Sequence, residues 1–142
     1  NGGSAADAQH MAAELMGGLR SHDRPAIQSI ALTTDTSFIT AWSNDTDYES
    51  IFSRQIEGLG SAGDILMAIS TSGNSRNVVK AVESCKEKGI TVIVLTGKTG
   101  GVLKDMGDVT ISIPSDDTQR IQEGHLLAEH ILCEMVEKSV TG

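Results

Sequence analysis

The stretch that most constrains this chain is residues 65–75, an apolar run that leads into Ser70-Thr71-Ser72-Gly73-Asn74-Ser75. The run Ile65-Leu66-Met67-Ala68-Ile69 is short and uninterrupted, which reads as a buried strand. Residues 77–88 then carry Val78, Val79, Val82 and Cys85 at helical spacing, and Gly89 supplies a stop. A strand, a hydroxyl-rich turn with one glycine and a helix start make a geometry suited to an anion. The free N–H groups of the first helical turn point at the ligand, and the helix dipole favours negative charge there. Ser70, Thr71, Ser72 and Ser75 add hydroxyl donors without adding charge. The competing reading is an ordinary N-cap in a turn rich in Ser and Asn. The anion site, and with it a phosphate, is the reading expected.

Composition narrows the ligand classes. Aromatics are 3% of the 142 residues, too few for a surface on which bases stack. The net charge of −8 excludes non-specific nucleic-acid binding, which needs clustered Lys and Arg. A phosphate ligand would therefore have to be held by local dipoles, hydroxyls or a metal against an unfavourable global field. Cys85 and Cys133 each lie on an apolar helical face and read as small core residues in a reducing, cytoplasmic compartment. No apolar run reaches membrane-spanning length, so no membrane partner is expected. Asn1-Gly2-Gly3-Ser4 is turn chemistry that ordinarily follows a strand, and upstream chain is expected to be absent from these residues.

Along the chain, residues 4–19 have helical periodicity, with Ser4 as the expected N-cap and Ala5, Ala8, Met11, Ala12, Leu15 and Met16 on one face. Residues 26–33 read as a strand, 35–42 as a short helix broken at Asn44-Asp45, and 48–59 as an amphipathic helix. Residues 90–95 are β-branched and apolar, a strand buried on both faces. Residues 96–101 form a glycine-rich loop, 102–106 one helical turn, and 109–113 the last strand, ended by Pro114. A long helix over 118–138 offers Ile121, Leu127, Ile131, Leu132 and Met135 as core residues. Strands alternating with helices on short loops predict an α/β fold, a single domain over residues 1–142 with a mostly parallel sheet and helices on both faces. Ligands bind such sheets at the carboxyl ends of the strands, where residues 70–75 and 96–101 fall.

Two groups of candidate metal ligands stand out. His10 and Glu14 are spaced i, i+4 and share a helical face. Gln122, His125, Glu129 and His130 lie on the last helix, where Gln122 and His130 are about 80° apart around the axis. Imidazole and carboxylate suit zinc, but spacing alone does not choose the ligands, and solvated helix polars remain the other reading.

The segment from Asn1 to His10 with Ala13-Glu14-Leu15, then residues 70–75, then Thr118-Gln119-Arg120-Ile121-Gln122-Glu123, resembles the phosphoheptose isomerases of the sugar isomerase (SIS) domain family. The loop alone marks only the superfamily; its combination with His10/Glu14 and Gln122/His130, colinear over residues 1 to about 138, is more specific. The resemblance implies a three-layer Rossmann-like SIS fold preceded by a helical segment, which with the first strand would be the missing part. It implies a homotetramer with active sites at subunit interfaces. It implies zinc, one per subunit, held by His10, Glu14, Gln122 and His130. Substrate contacts would be Asn1, Gly2 and Gly3, then Asn44 and Asp45, then Ser70, Thr71, Ser72 and Ser75, with Glu14 and Gln122 shared. The implied reaction interconverts sedoheptulose 7-phosphate and D-glycero-D-manno-heptose 7-phosphate, a phosphorylated seven-carbon sugar that feeds nucleotide-activated heptose for lipopolysaccharide.

An aldose–ketose exchange moves a proton between adjacent carbons while an oxyanion develops. That chemistry suits a metal together with a carboxylate and an imidazole, and Glu14 is assigned as base with His130 as partner acid/base. Three departures from the family pattern bear on the sugar pocket. Gly18 stands where a basic residue is usual, with Arg20 as a substitute; Asp47 stands in place of a glycine before Tyr48; and Glu129, read as a solvated charge, could instead orient the imidazole of His130. Two other functions share the loop. A non-catalytic SIS protein that binds the bacterial replication initiator would lack the metal constellation. A different phosphosugar isomerase would lack the Gln122/His130 pair.

Overall fold

The computed structural model describes residues 1–141. Five helices and three strands appear in the order α1 (Gly3–Gly17), α2 (Thr36–Asp45), α3 (Ile51–Leu59), β1 (Ile65–Ile69), α4 (Arg76–Lys88), β2 (Thr91–Thr96), β3 (Val109–Ser112) and α5 (Thr118–Thr141). A short 3₁₀ turn over Leu103–Asp105 precedes β3. The sheet is parallel throughout, in the order β1-β2-β3, with Ala68 opposite Val94 and Leu95 opposite Ile111.

The α/β architecture expected from the alternation of elements is the one observed. On one face of the sheet Ala68, Val92 and Val94 meet Ile51, Phe52 and Ile56 of α3 and Val78, Ala81, Val82 and Cys85 of α4. Residues of opposite parity, Ile69 and Leu95, are buried as well, as are Ile121 and Cys133 of α5. β2 is thus covered on both sides, as its unbroken apolar run demanded. Both cysteines are free and buried. Burial first of all pushes each thiol up to about 11, which leaves them unreactive core groups. No helix among the described residues is long and apolar enough to cross a membrane.

Four local expectations are corrected. α1 starts at Gly3 with Gly2 as N-cap, and Ser4 is buried inside the helix rather than capping it. Residues 26–33 do not form a strand: Ile27 donates to the Leu15 carbonyl at 3.2 Å and the Leu32 carbonyl accepts from Gln55. An extended segment becomes a strand only by pairing, and here its hydrogen bonds go to helices. The break foreseen at Asn44-Asp45 comes one residue later, because α2, capped by the Asp35 carboxylate, runs on through Asp45.

The fourth correction is the core face of α5. Leu127, Ile131 and Met135 are 62%, 51% and 62% exposed, whereas the buried positions are Ile121, His125, Glu129, Cys133 and Glu137, spaced every four residues. Hydrophobicity pointed to one stripe, yet the polar stripe faces inward, because it packs along α1, whose own polar groups it meets.

Candidate active site

The loop after β1 is a tight turn whose shape is set from its backbone outward. Ser75 is the N-cap of α4, but its hydroxyl makes no capping bond and instead lies 2.9 Å from Ser70 Oγ. It therefore leaves the Arg76 and Asn77 amides of α4 without a side-chain cap, while Val78 N–H is taken by Asn77 Oδ1 at 3.0 Å. Gly73 shapes the turn. It has φ 67°, its N–H donates to the Ser70 carbonyl at 3.1 Å, and a Cβ there would drive into the carbonyl of Gly100. Asn74 ties the loop to its neighbour by accepting from Val102 N–H at 3.0 Å. The cavity in front, about 190 Å³, is lined by Thr71, Ser72, Lys98, Ser115, Asp116 and Thr118. It opens at the carboxyl ends of the strands, as expected for this class of sheet. Lys98 is the cation at its rim, 3.1 Å from Asp116.

Residues 1–3 reach this loop through amide pairing. Asn1 Nδ2 donates to Asn77 Oδ1 at 3.0 Å, Asn77 Nδ2 donates back to Asn1 Oδ1 at 2.9 Å, and the Tyr48 hydroxyl adds a third bond to Asn1 Oδ1 at 2.7 Å. Asn77 is buried in the first turn of α4, so Asn1 is fixed beside the anion loop. Asn77 and Tyr48 were not foreseen in this role; no spacing in the sequence links them to residue 1. Asn44 and Asp45 stand apart, exposed, and bond to each other at 2.8 Å. Asp47 has a plain structural task, accepting from Ser50 N–H at 2.7 Å and Ser50 Oγ at 2.9 Å before α3 begins.

A second group forms where α1 meets α5. Glu14 Oε1 lies 2.8 Å from His10 Nε2 and 3.3 Å from His130 Nε2, and the two imidazole nitrogens are 3.1 Å apart. These three atoms could hold a metal ion. Tetrahedral zinc with bonds of about 2.05 Å has ligand–ligand edges of about 3.3 Å, so two imidazoles and a carboxylate at these separations fit that donor set. The carboxamide of Gln122 packs over Gly3, so close that a Cβ there would strike it. Contacts along the two helices rise together in number, Gly3 with Gln122 and Glu14 with His130, so α1 and α5 run parallel.

Behind the cluster the seam is polar and sparsely satisfied. His125 is fully buried with Nε2 on the Thr96 carbonyl at 3.0 Å, and burial lowers its pKa. It is a core residue, not a ligand. Glu129 is 1% exposed, which overturns its reading as a solvated charge. Burial, then Asp7 and Glu14, push its carboxyl up to about 8. Asp7 is likewise raised by burial, against the pull of His125 and His10. Among the described residues, Glu14 Oε2, Asp7 Oδ2, His125 Nδ1 and both oxygens of Glu129 find no hydrogen-bond partner. Gly18 takes φ 116°, and a Cβ would strike the Ser21 carbonyl, so a basic side chain has no room in this backbone. Arg20 instead reaches Glu134 at 3.4 Å, beside a cavity of about 320 Å³ that His130 also lines.

Comparison with known proteins shows what the chain is similar to. The SIS domain family profile matches residues 1–97. A phosphoheptose isomerase of Sulfurimonas denitrificans is 57% identical over all of this chain and 72% of that protein. One from Aneurinibacillus thermoaerophilus is 53% identical over 99% and 70%. Among solved structures, phosphoheptose isomerases from Neisseria gonorrhoeae and Francisella tularensis superpose with TM-scores of 0.89 and 0.92, at 47% and 40% identity. Each pairing covers 97% of this chain and 73% of the other.

Proposed function

We infer the reaction from one premise: the chain belongs to the SIS domain family, among its phosphoheptose isomerases, enzymes that act on a heptose phosphate. On that premise the substrate pair is sedoheptulose 7-phosphate and D-glycero-D-manno-heptose 7-phosphate, interconverted in the cytoplasm as a step toward lipopolysaccharide heptose. The observation that carries the reading is the convergence of His10, Glu14 and His130 across α1 and α5, with Asn1, next to the start of α1, bonded to Asn77 of the helix that follows the hydroxyl-rich loop.

His10, Glu14 and His130, with Gln122 as a fourth donor, would hold one zinc ion per subunit. Bound there, zinc would polarise the sugar carbonyl and stabilise the oxygen charge that develops. The remaining work falls to side chains. Ser70, Thr71, Ser72 and Ser75 with the α4 amides hold the remote phosphate, and Asn1, Gly2 and Gly3 close that end of the site, with Asn44 and Asp45 contacting the sugar. Anchoring the phosphate fixes the reacting carbons relative to Glu14. Glu14 takes the proton from one carbon and returns it to its neighbour through Oε1, since Oε2 is enclosed, and this requires that its hold on the ion loosen when substrate binds. His130 is the partner acid/base: its Nε2, freed from the ion when substrate binds, delivers a proton to the carbonyl oxygen and recovers one from the adjacent hydroxyl. The exposed stripe of Leu127, Ile131 and Met135 on α5 supports burial of this face in a homotetramer.

The test is turnover of sedoheptulose 7-phosphate by the full-length protein, with and without a chelator. Turnover that a chelator abolishes and zinc restores is expected. Turnover indifferent to the chelator would remove the metal from the mechanism, and none at all would remove the substrate.

A further inference from the structure

The turn after α1 carries a polar assembly that the site above does not use. Glu137 of α5 accepts from the backbone N–H groups of Leu19, Arg20 and Ser21 at 2.9, 2.9 and 3.0 Å, and from Arg24 Nε at 2.8 Å. Three successive amides converging on one carboxylate form an anion nest. The Arg24 hydrogen bond, joined by those amides, outweighs burial and holds the carboxyl down to about 2. The pair is enclosed, with side chains only 2% and 6% exposed. Arg24 spends its other donors on the Pro25 carbonyl at 2.9 Å and, through Nη2, on the Glu14 carbonyl at 2.8 Å. Gly18 N–H meets that same carbonyl at 2.8 Å. A cation at this position also complements the negative end of the α1 dipole.

What makes this assembly more than a surface latch is its place on the seam. The cluster exists only if α1 and α5 keep their register, because Glu14 Oε1 and His130 Nε2 sit on different helices. Between cluster and turn the inward side chain of α5 is Cys133, a buried free thiol that supplies little that is directional. Apolar and unpaired contacts tolerate sliding, whereas charge-assisted hydrogen bonds at 2.8–2.9 Å do not. We propose that Arg24 and Glu137 are positioning residues. They bolt the carbonyl of Glu14 to α5 about two helical turns past His130, and so set the separation of Glu14 Oε1 from His130 Nε2. The inference rests on the reading of Glu14 and His130 as the pair that binds metal and moves the proton.

Two near-isosteric variants of the full-length protein test it, Glu137→Gln and Arg24→Lys. The second keeps the charge but loses the bond to the Glu14 carbonyl. Loss of an outer partner of a metal ligand typically costs about 10- to 100-fold in metal affinity or activity. Both variants should therefore lose about that much kcat and cobalt affinity, while KM for sedoheptulose 7-phosphate stays within about threefold, because the anion loop is untouched. In the chelator-treated protein, the His10 and His130 imidazole NMR signals should shift in both variants. Native kcat, cobalt affinity and imidazole signals, even with a lowered melting temperature, would reduce the pair to a structural contact and overturn the proposal. Should Glu137→Gln fail to fold, Arg24→Lys decides alone. An inactive wild type whose variants still show the imidazole shift would sink the reaction and support the clamp; an active wild type with unchanged variants would sink only the clamp.

Discussion

The anion loop and the α1–α5 cluster are built in opposite ways. Ser70 to Asn77 is contiguous, tied by backbone bonds to Leu95, Gly97 and Leu103, and seated on side chains as enclosed as Val82, Val94 and Leu103, each 0% exposed. The cluster joins His10 to His130, separated by 120 positions, along a seam whose buried acids Asp7, Glu14 and Glu129 carry unpaired oxygens. The difference teaches how the labour divides. Holding a phosphate needs donors on a rigid turn, which a short segment can supply. Moving a proton beside a metal needs convergent atoms from separate elements, and the packing that brings them together also has to bury charge. The loop's neutral hydroxyls leave it cheap to fold; the cluster sits on a seam poised by its acids.

Breaking the cluster should have the largest effect. Glu14→Gln and His130→Gln each remove a group for which general acid–base catalysis alone supplies ~10²–10⁴-fold. Turnover should fall at least that far while circular dichroism stays native; near-normal turnover in either variant would dismantle the assignment. Breaking the loop comes next, through backbone rather than chemistry. Gly73→Ala forces a side chain into φ 67° and into the Gly100 carbonyl, a strain of roughly 1–3 kcal/mol. The melting temperature should drop accordingly, and an unchanged melt would mean that the turn is not rigid.

The smallest effect sharpens the contrast through the seam's charge. Burial raises the Glu129 carboxyl to about 8, so the folded chain keeps a proton that the unfolded chain has lost above about pH 4.5. Stability from this group is therefore full in acid and falls as pH rises toward 8. Glu129→Gln cannot titrate, so in chelator-treated protein it should melt above the wild type at pH 8, by on the order of 1 kcal/mol, with the gap closing near pH 4.5. A gap independent of pH would mean that Glu129 ionises freely.

Much of the fold could be read directly because it is encoded in local periods. The runs at 65–69 and 90–95 became β1 and β2, and Val78, Val82 and Cys85 became the buried face of α4. Where period and propensity misled, a partner decided. Residues 26–33 have strand composition but bond to α1 and α3. On α5 the hydrophobic stripe of Leu127, Ile131 and Met135 is exposed, while His125, Glu129 and Glu137 face inward. Hydrophobicity ranks residues by transfer to oil, and it cannot see that the turn after α1 supplies amides and a guanidinium to Glu137.

Of the site, the hydroxyl-rich turn was legible locally, because Ser70–Ser75 falls between the runs that became β1 and α4. The sequence by itself also placed His10 and Glu14 on one face, since that pairing follows from helical geometry alone. Spacing left His125, Glu129 and His130 open and the family resemblance pointed to His130; the packing of α5 on α1 is what brings His130 to the pair, because a rotation of α5 by one position chooses between these residues. The tertiary structure alone revealed Asn77 and Tyr48 around Asn1, and Arg24 with Glu137 at the end of the seam. These contacts join residues 47 to 113 positions apart, and no local pattern records which distant groups the packing of helices brings face to face.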